Sequence, residues 1–207
     1  MKTNKIVKSS RGRPTGDHDE KRYEFLNIAI HLLANEGYAS LSMRNLAAKA
    51  NVTTGAITYY FANKSELMKG ISDELFSRFT RLLAKNTSFD VERAINEWFS
   101  WTYNDGGNLW KAFLQIQSYA DEDESFVNYA QKRYDLFIVH LKCFIESGQK
   151  TNQIRNDIPA DILAEQLSAM GDGLMIMLSI YPNRRSTEKI AQLKKGIFTL
   201  LRPAMTV

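Results

Sequence analysis

Residues 42–60 carry two short segments of helical pattern with only Ala50-Asn51-Val52 between them, and this pairing restricts the fold more than any other stretch. Ser42 is a capping residue for a helix running through Arg44, Leu46 and Ala47 to about Lys49, and Thr53 caps a second from Thr54 to Tyr60. Ala47 and Ala50 permit close approach, Leu46, Val52 and Ile57 supply apolar contacts, and Asn51 tolerates the left-handed backbone such a turn often needs. Two short helices crossing at small residues over a three-residue turn make a helix-turn-helix. With Ile57 and Phe61 turned inward, Thr53, Thr54, Gly55, Thr58 and Tyr59 fall largely on the free face. That face is polar, uncharged and slim enough to enter a DNA major groove. A glycine inside a two-turn helix costs about 1 kcal/mol relative to alanine, so Gly55 implies close approach of something to its backbone.

Helical signals extend along the whole chain and predict an all-α fold. Asp17-His18-Asp19-Glu20 reads as a capping box, followed by Phe25, Ile28, Ala29, Leu32 and Leu33 at helical spacing until Gly37. Asn63-Lys64-Ser65-Glu66 is a second box, opening a helix to about Lys85. Further helices are expected at about 91–104, 107–120, 123–147, 159–181 and 187–201, punctuated by Gly106-Gly107, the acidic run 121–124, the stretch from Gly148 to Pro159, Pro182 and Pro203. Period-2 alternation is nowhere sustained. At 207 residues and 44% apolar content the chain is long enough for one large domain or a small one joined to a larger one. No run of about 18 apolar residues is present to span a membrane, and no apolar segment follows the N-terminal lysines as in a secretory signal. The single cysteine, Cys143, excludes an internal disulfide framework, and a cytoplasmic setting is expected.

The formal charge of +4 is unevenly spread. Residues 1–16 hold Lys2, Lys5, Lys8, Arg11 and Arg13 with no acid, and residues 1–70 hold 11 basic against 6 acidic side chains. The remaining 137 residues hold 16 and 17. The positive field therefore sits at one end, as binding of a polyanion there would require; a solvated basic tail is the plainer alternative.

The run Gly37-Tyr38, Leu41 to Ala47, Ala50 to Phe61 and Lys64-Ser65-Glu66-Leu67 resembles the DNA-binding region of TetR-family transcriptional regulators over about residues 20–68. Asn51 stands where that family usually has glycine, and Thr58 where an aromatic is frequent. The resemblance implies a homodimeric repressor without enzymatic activity. Its expected parts are a basic arm at 1–16, a three-helix DNA-binding domain at 17–65, and a helical ligand-binding and dimerisation bundle at 66–207. By position, Arg44 would meet a phosphate or base edge, while Thr53, Thr54, Gly55, Ala56 and Thr58 open and line the recognition helix. Tyr59, Tyr60 and Lys64 would clamp phosphates. Tyr60 reads equally well as a core aromatic, and Lys64 outside this motif would read as a solvated lysine. Arg11-Gly12-Arg13-Pro14 is the core of an AT-hook-like arm, in which Arg11 and Arg13 enter a narrow minor groove.

The C-terminal region is more loosely similar to the BetI-type branch of that family, through Trp110-Lys111-Ala112-Phe113 and Gly171-Asp172-Gly173-Leu174. Of 23 aromatic residues, 12 lie between Trp98 and Phe144. They read either as a helical core or as an effector pocket walled by Trp98, Trp101, Trp110, Phe113 and Tyr134. Such walls suit a flat apolar ligand or a cation, and the sequence does not separate the two. Ile190, Leu193, Ile197 and Leu200 form an apolar stripe on the last helix, and the preceding helix carries Ala164, Ser168, Ala169, Gly171 and Gly173. In the resembling family these two helices form the dimer interface; packing inside one subunit explains the stripe equally well. His140 and Cys143 share a helix face and read as a core pair rather than metal ligands. No nucleophile elbow, phosphate-binding glycine loop or other cofactor motif appears. A helical protein-interaction module is the rival reading, but it leaves the turn, Gly55 and the segregated charge unexplained. The expected partners are operator double-stranded DNA, a second copy of the chain and a small-molecule effector.

Overall fold

The computed structural model describes residues 15–84, 90–103, 107–120 and 124–203, with backbone only at Trp101 and some helix ends. The described residues contain no strand. Helices follow in the order α1 (Thr15–Ser40), α2 (Met43–Lys49), α3 (Thr54–Tyr60), α4 (Lys64–Ala84), α5 (Val91–Tyr103), α6 (Asn108–Ala120), α7 (Glu124–Lys150), α8 (Ala160–Ile180) and α9 (Thr187–Leu201). A 3-10 turn at Pro182–Arg185 joins the last two.

Local chemistry fixes the early boundaries. α1 is already helical at Thr15, ahead of the Asp17 box, and its regular part ends at Gly37, where φ is 77°. The Ser42 hydroxyl oxygen accepts from Asn45 N at 3.1 Å, the Thr53 oxygen from Ala56 N at 3.2 Å, and Asn63 Oδ1 from Glu66 N at 2.9 Å. Asn51 makes the turn between α2 and α3 with φ 53°. α7, by contrast, runs past Gly148, a buried helical residue, and its left-handed exit is Asn152 at φ 56°. The Gln149 side chain then donates to the carbonyls of Arg155 and Ile158, both at 2.9 Å, and fastens the following loop.

Two cores hold the helices. The first gathers Phe25, Leu33, Leu46, Ile57, Phe61 and Ile71 with Trp110, Phe113 and Phe126. The second joins Val91, Phe99, Ile145, Leu163 and Ile197, and the half-buried Trp98 and Phe137 border both. The short helices α2 and α3 are thus not an appendage: α1, beneath them, packs most extensively against α6. The first turns of α4 bury Leu67, Met68 and Ile71 in the same core. Gly70 lets α4 approach, since a Cβ there would lie 3.1–3.2 Å from Arg22, Leu26 and Phe61.

The C-terminal pattern is redirected. Ile197 is buried, Ile190 and Leu193 pack against the cores of their own subunit, and of the apolar stripe on α9 Leu200 remains exposed. On α8, Ala164 and Ser168 also face inward, and Gly171 meets Trp98. The exposed face of α8 is instead Ile162, Ala169, Gly173, Ile176 and Ile180, spaced by seven, four, three and four residues. The expected core pair of His140 and Cys143 is not one: Cys143 is exposed and His140 lies at intermediate depth, because that face of α7 points outward. Among the described residues no helix is long and apolar enough to cross a membrane, and no group of three His, Cys, Asp or Glu stands ready to hold a metal.

Candidate nucleic-acid interface and ligand cavity

α3 is clamped from behind and open in front. Ile57 and Phe61, one turn apart, are 0% and 2% exposed. Thr53, Thr54, Gly55, Thr58 and Tyr59 are exposed and Ala56 is partly so, which is the face expected from the spacing. Thr53 serves as the cap, and Thr58 Oγ1 donates to the carbonyl of Gly55 at 3.1 Å. Among the described residues nothing requires glycine at position 55. A Cβ there would meet only Thr53 Oγ1, at 3.8 Å.

The aromatic pair at the end of α3 divides its roles. Tyr59 is 72% exposed. Tyr60 is half-buried, edge-on to Phe25 at 5.2 Å and 4.7 Å from the His18 ring, so it carries both core and surface character. Arg44 is exposed beside this face on α2, without a salt bridge among the described residues. Lys64 opens α4, where its ammonium donates to the Tyr38 carbonyl at 2.9 Å and lies 3.5 Å from the centre of that ring. Arg11 and Arg13 lie outside the described residues.

Tyr38 belongs to the run that carries the family resemblance, but its contacts are not ones that spacing reveals. Its N–H donates to Gln115 Oε1 at 3.3 Å and its ring stacks on Tyr119 at 4.5 Å, both on α6. Contacts 77 residues apart leave no periodic trace. Tyr38 therefore joins α6 to the start of α4, directly after α3.

α6 also walls a cavity of about 120 Å³ among α4, α5, α6, α7, α8 and α9. Of the residues named as effector-pocket walls, Trp98, Trp110, Phe113 and Tyr134 line this cavity, while the Trp101 side chain lies outside the described residues. Trp110 is 5% exposed and stacked on Phe113 at 5.2 Å, so it is core and cavity wall together. One corner is polar. Tyr134 Oη lies 2.6 Å from Ser168 Oγ and donates to Asp172 Oδ2 at 3.4 Å. Burial pushes the Asp172 carboxyl above the usual carboxylate range, against the opposing effect of the Tyr134 hydrogen bond. Burial likewise raises the Tyr134 phenol. Ser168 and Asp172 are one turn apart on a side of α8 whose other cavity-lining residues are Leu167, Gly171 and Met175, and a polar pair among such neighbours is the signal in the sequence.

The family model for bacterial regulatory proteins of the tetR family matches residues 25–71, the segment from α1 through α3 into α4. An HTH-type transcriptional regulator of Haemophilus influenzae is 36% identical over 144 residues, covering 68% of this chain and 73% of that protein. The chain belongs to the TetR family. The chain is also 33% identical over 95 residues to the HTH-type transcriptional repressor Rv3405c of Mycobacterium tuberculosis, covering 45% of this chain and 50% of that one. The TetR fold is shared with a transcriptional regulator from Saccharomonospora viridis solved in complex with choline: TM-score 0.69 and 22% identity, over 87% of this chain and 96% of that one. As a TetR-family member the protein is a DNA-binding transcriptional regulator and not an enzyme. Regulators of this family bind operator DNA and small molecules.

Proposed function

We propose that the protein is a cytoplasmic, homodimeric repressor released from its operator by a small molecule bound in the interhelical cavity. The observation that carries this is α3: an uncharged polar face, exposed at Thr53, Thr54, Gly55, Thr58 and Tyr59, on a helix fixed by buried Ile57 and Phe61. In this reading residues 17–65 bind DNA, residues 66–207 bind the effector and the partner subunit, and the arm at 1–16 follows the duplex. Thr53, Thr54, Gly55, Ala56 and Thr58 face the bases, and Arg44, Tyr59, Tyr60 and Lys64 hold the backbone. The outward α8 face of Ile162, Ala169, Gly173, Ile176 and Ile180, with Leu200 of α9, supplies the apolar surface a dimer would bury. Cavity and DNA face communicate along α4 and through the α6–Tyr38–Lys64 contacts. An effector preferring the DNA-free subunit arrangement by about a hundredfold would supply roughly 2.7 kcal/mol of coupling.

The experiment is footprinting on DNA upstream of the protein's own gene. Protection should be two-fold symmetric, with half-site centres about 34–36 Å apart or a multiple of this. Lys64→Ala should weaken binding to all sequences and make the salt dependence shallower by about one unit. Absence of any protected site, or an unpaired one, would contradict the dimeric operator-binding reading.

A further inference from the structure

Among the described residues Asp172 is the sole carboxylate lining the interhelical cavity, and no described lysine, arginine or histidine lines it. Among the described residues it has no salt bridge, and its side-chain partner is the Tyr134 hydroxyl at 3.4 Å, a long contact for an O–H donor. The Tyr134 hydroxyl is held closer to Ser168, at 2.6 Å. A half-buried carboxylate facing apolar walls is costly unless a positive charge meets it. None of the described residues lining the cavity supplies one, and burial pushes the Asp172 carboxyl upward.

The rest of the lining favours the same charge. Trp98, Trp110, Phe113, Phe76 and Phe137 surround the space, and aromatic faces carry negative electrostatic potential toward a cation. Trp98 is brought onto α8, beside Asp172, because Gly171 has no Cβ: one placed there would sit 3.0 Å from Trp98 Cζ2. An anionic ligand would add a second negative charge to this corner, and a neutral one would leave the carboxylate as it stands. The size limits the body of the ligand. A cavity of about 120 Å³ is comparable with engineered cavities of about 150 Å³ that take up a benzene ring.

We propose that this cavity takes a lipophilic ammonium ion, a protonated primary or secondary amine on an apolar body of about one ring, with its N–H groups on Asp172. This rests on the reading of the cavity as the effector site and names the ligand class that site selects. The amine donates to the carboxylate, the Tyr134–Ser168 pair stays in place beside it, and the ring fills the aromatic walls.

The test is calorimetric titration of the full chain at neutral pH with three probes of similar shape: 2-phenylethylammonium, propylbenzene and phenylacetate. The ammonium should bind at least about tenfold more tightly than propylbenzene, about 1.4 kcal/mol, with phenylacetate weakest. Asp172→Asn, which keeps an acceptor for Tyr134, should erase the preference for the ammonium and leave propylbenzene affinity unchanged. The three-probe order on the unmodified chain holds the proposal to account whether or not that variant folds. Propylbenzene or phenylacetate binding as well as the ammonium would overturn the proposal while leaving the cavity a ligand site. An ammonium preference that survived in folded Asp172→Asn would overturn it too. Silence from all three probes would remove both the proposal and the effector-site reading beneath it.

Discussion

Phe61→Ala is expected to lower the stability of the protein by about 3–5 kcal/mol, the cost of emptying a large aromatic site in a packed core, and to abolish DNA binding with it. Phe61 is 2% exposed, and its N–H closes α3 by donating to the Ile57 carbonyl at 3.0 Å. Its ring lies 5.2 Å from the Arg22 guanidinium and 3.2 Å from where a Cβ on Gly70 would stand. One side chain therefore bonds α3 to both α1 and α4, and its loss leaves the exposed face of α3 with no fixed backing. Urea denaturation and fluorescence anisotropy on a DNA fragment read the two effects. Phe61→Ala that bound DNA with unchanged affinity would show that this core does not hold the DNA-contacting surface.

Deleting residues 1–14 removes Lys2, Lys5, Lys8, Arg11 and Arg13, and the expected loss in DNA affinity is about 10²–10³-fold near physiological salt. Each phosphate contact contributes about 0.9 to the slope of log affinity against log salt, so five contacts should make that slope shallower by about 4–5. If Arg11 and Arg13 enter the minor groove, sites with A·T-rich flanks will lose more than G·C-rich ones. Equal loss on both flanks would reduce the arm to phosphate contacts, and no loss would make it a solvated tail.

What the sequence disclosed was local. Ser42, Thr53 and Asn63 act on backbone groups three residues away, so their caps were readable from spacing alone. Ile57 and Phe61 are separated by one turn of one helix, and the burial of that side followed. Where two partners were physically equivalent, spacing did not choose between them. The stripe Ile190, Leu193, Ile197 and Leu200 is apolar whether it meets a second subunit or the core of its own, and three of the four turn inward. Gly148 looked like a stop because glycine often ends a helix, but the left-handed position fell to Asn152. Asp172 and Ser168 gained meaning only when tertiary packing set them beside Tyr134 of another helix. Gln115 and Tyr38 likewise meet only in the folded chain.

Close approach of DNA to the N-terminal turn of α3 underlies the proposed repressor, and Gly55→Ala probes that approach. The protein leaves open space at this position, the nearest atom to an added Cβ being Thr53 Oγ1 at 3.8 Å. Alanine also favours helix over glycine by about 0.8–1 kcal/mol, so the variant should be as stable as the unmodified chain or more so. The measurement is DNA affinity on the footprinted site alongside melting temperature. The melting temperature should be unchanged or raised and the affinity reduced tenfold or more, because the added methyl meets the DNA rather than the protein. Unchanged affinity in a variant that is equally or more stable would contradict close approach of DNA to this turn.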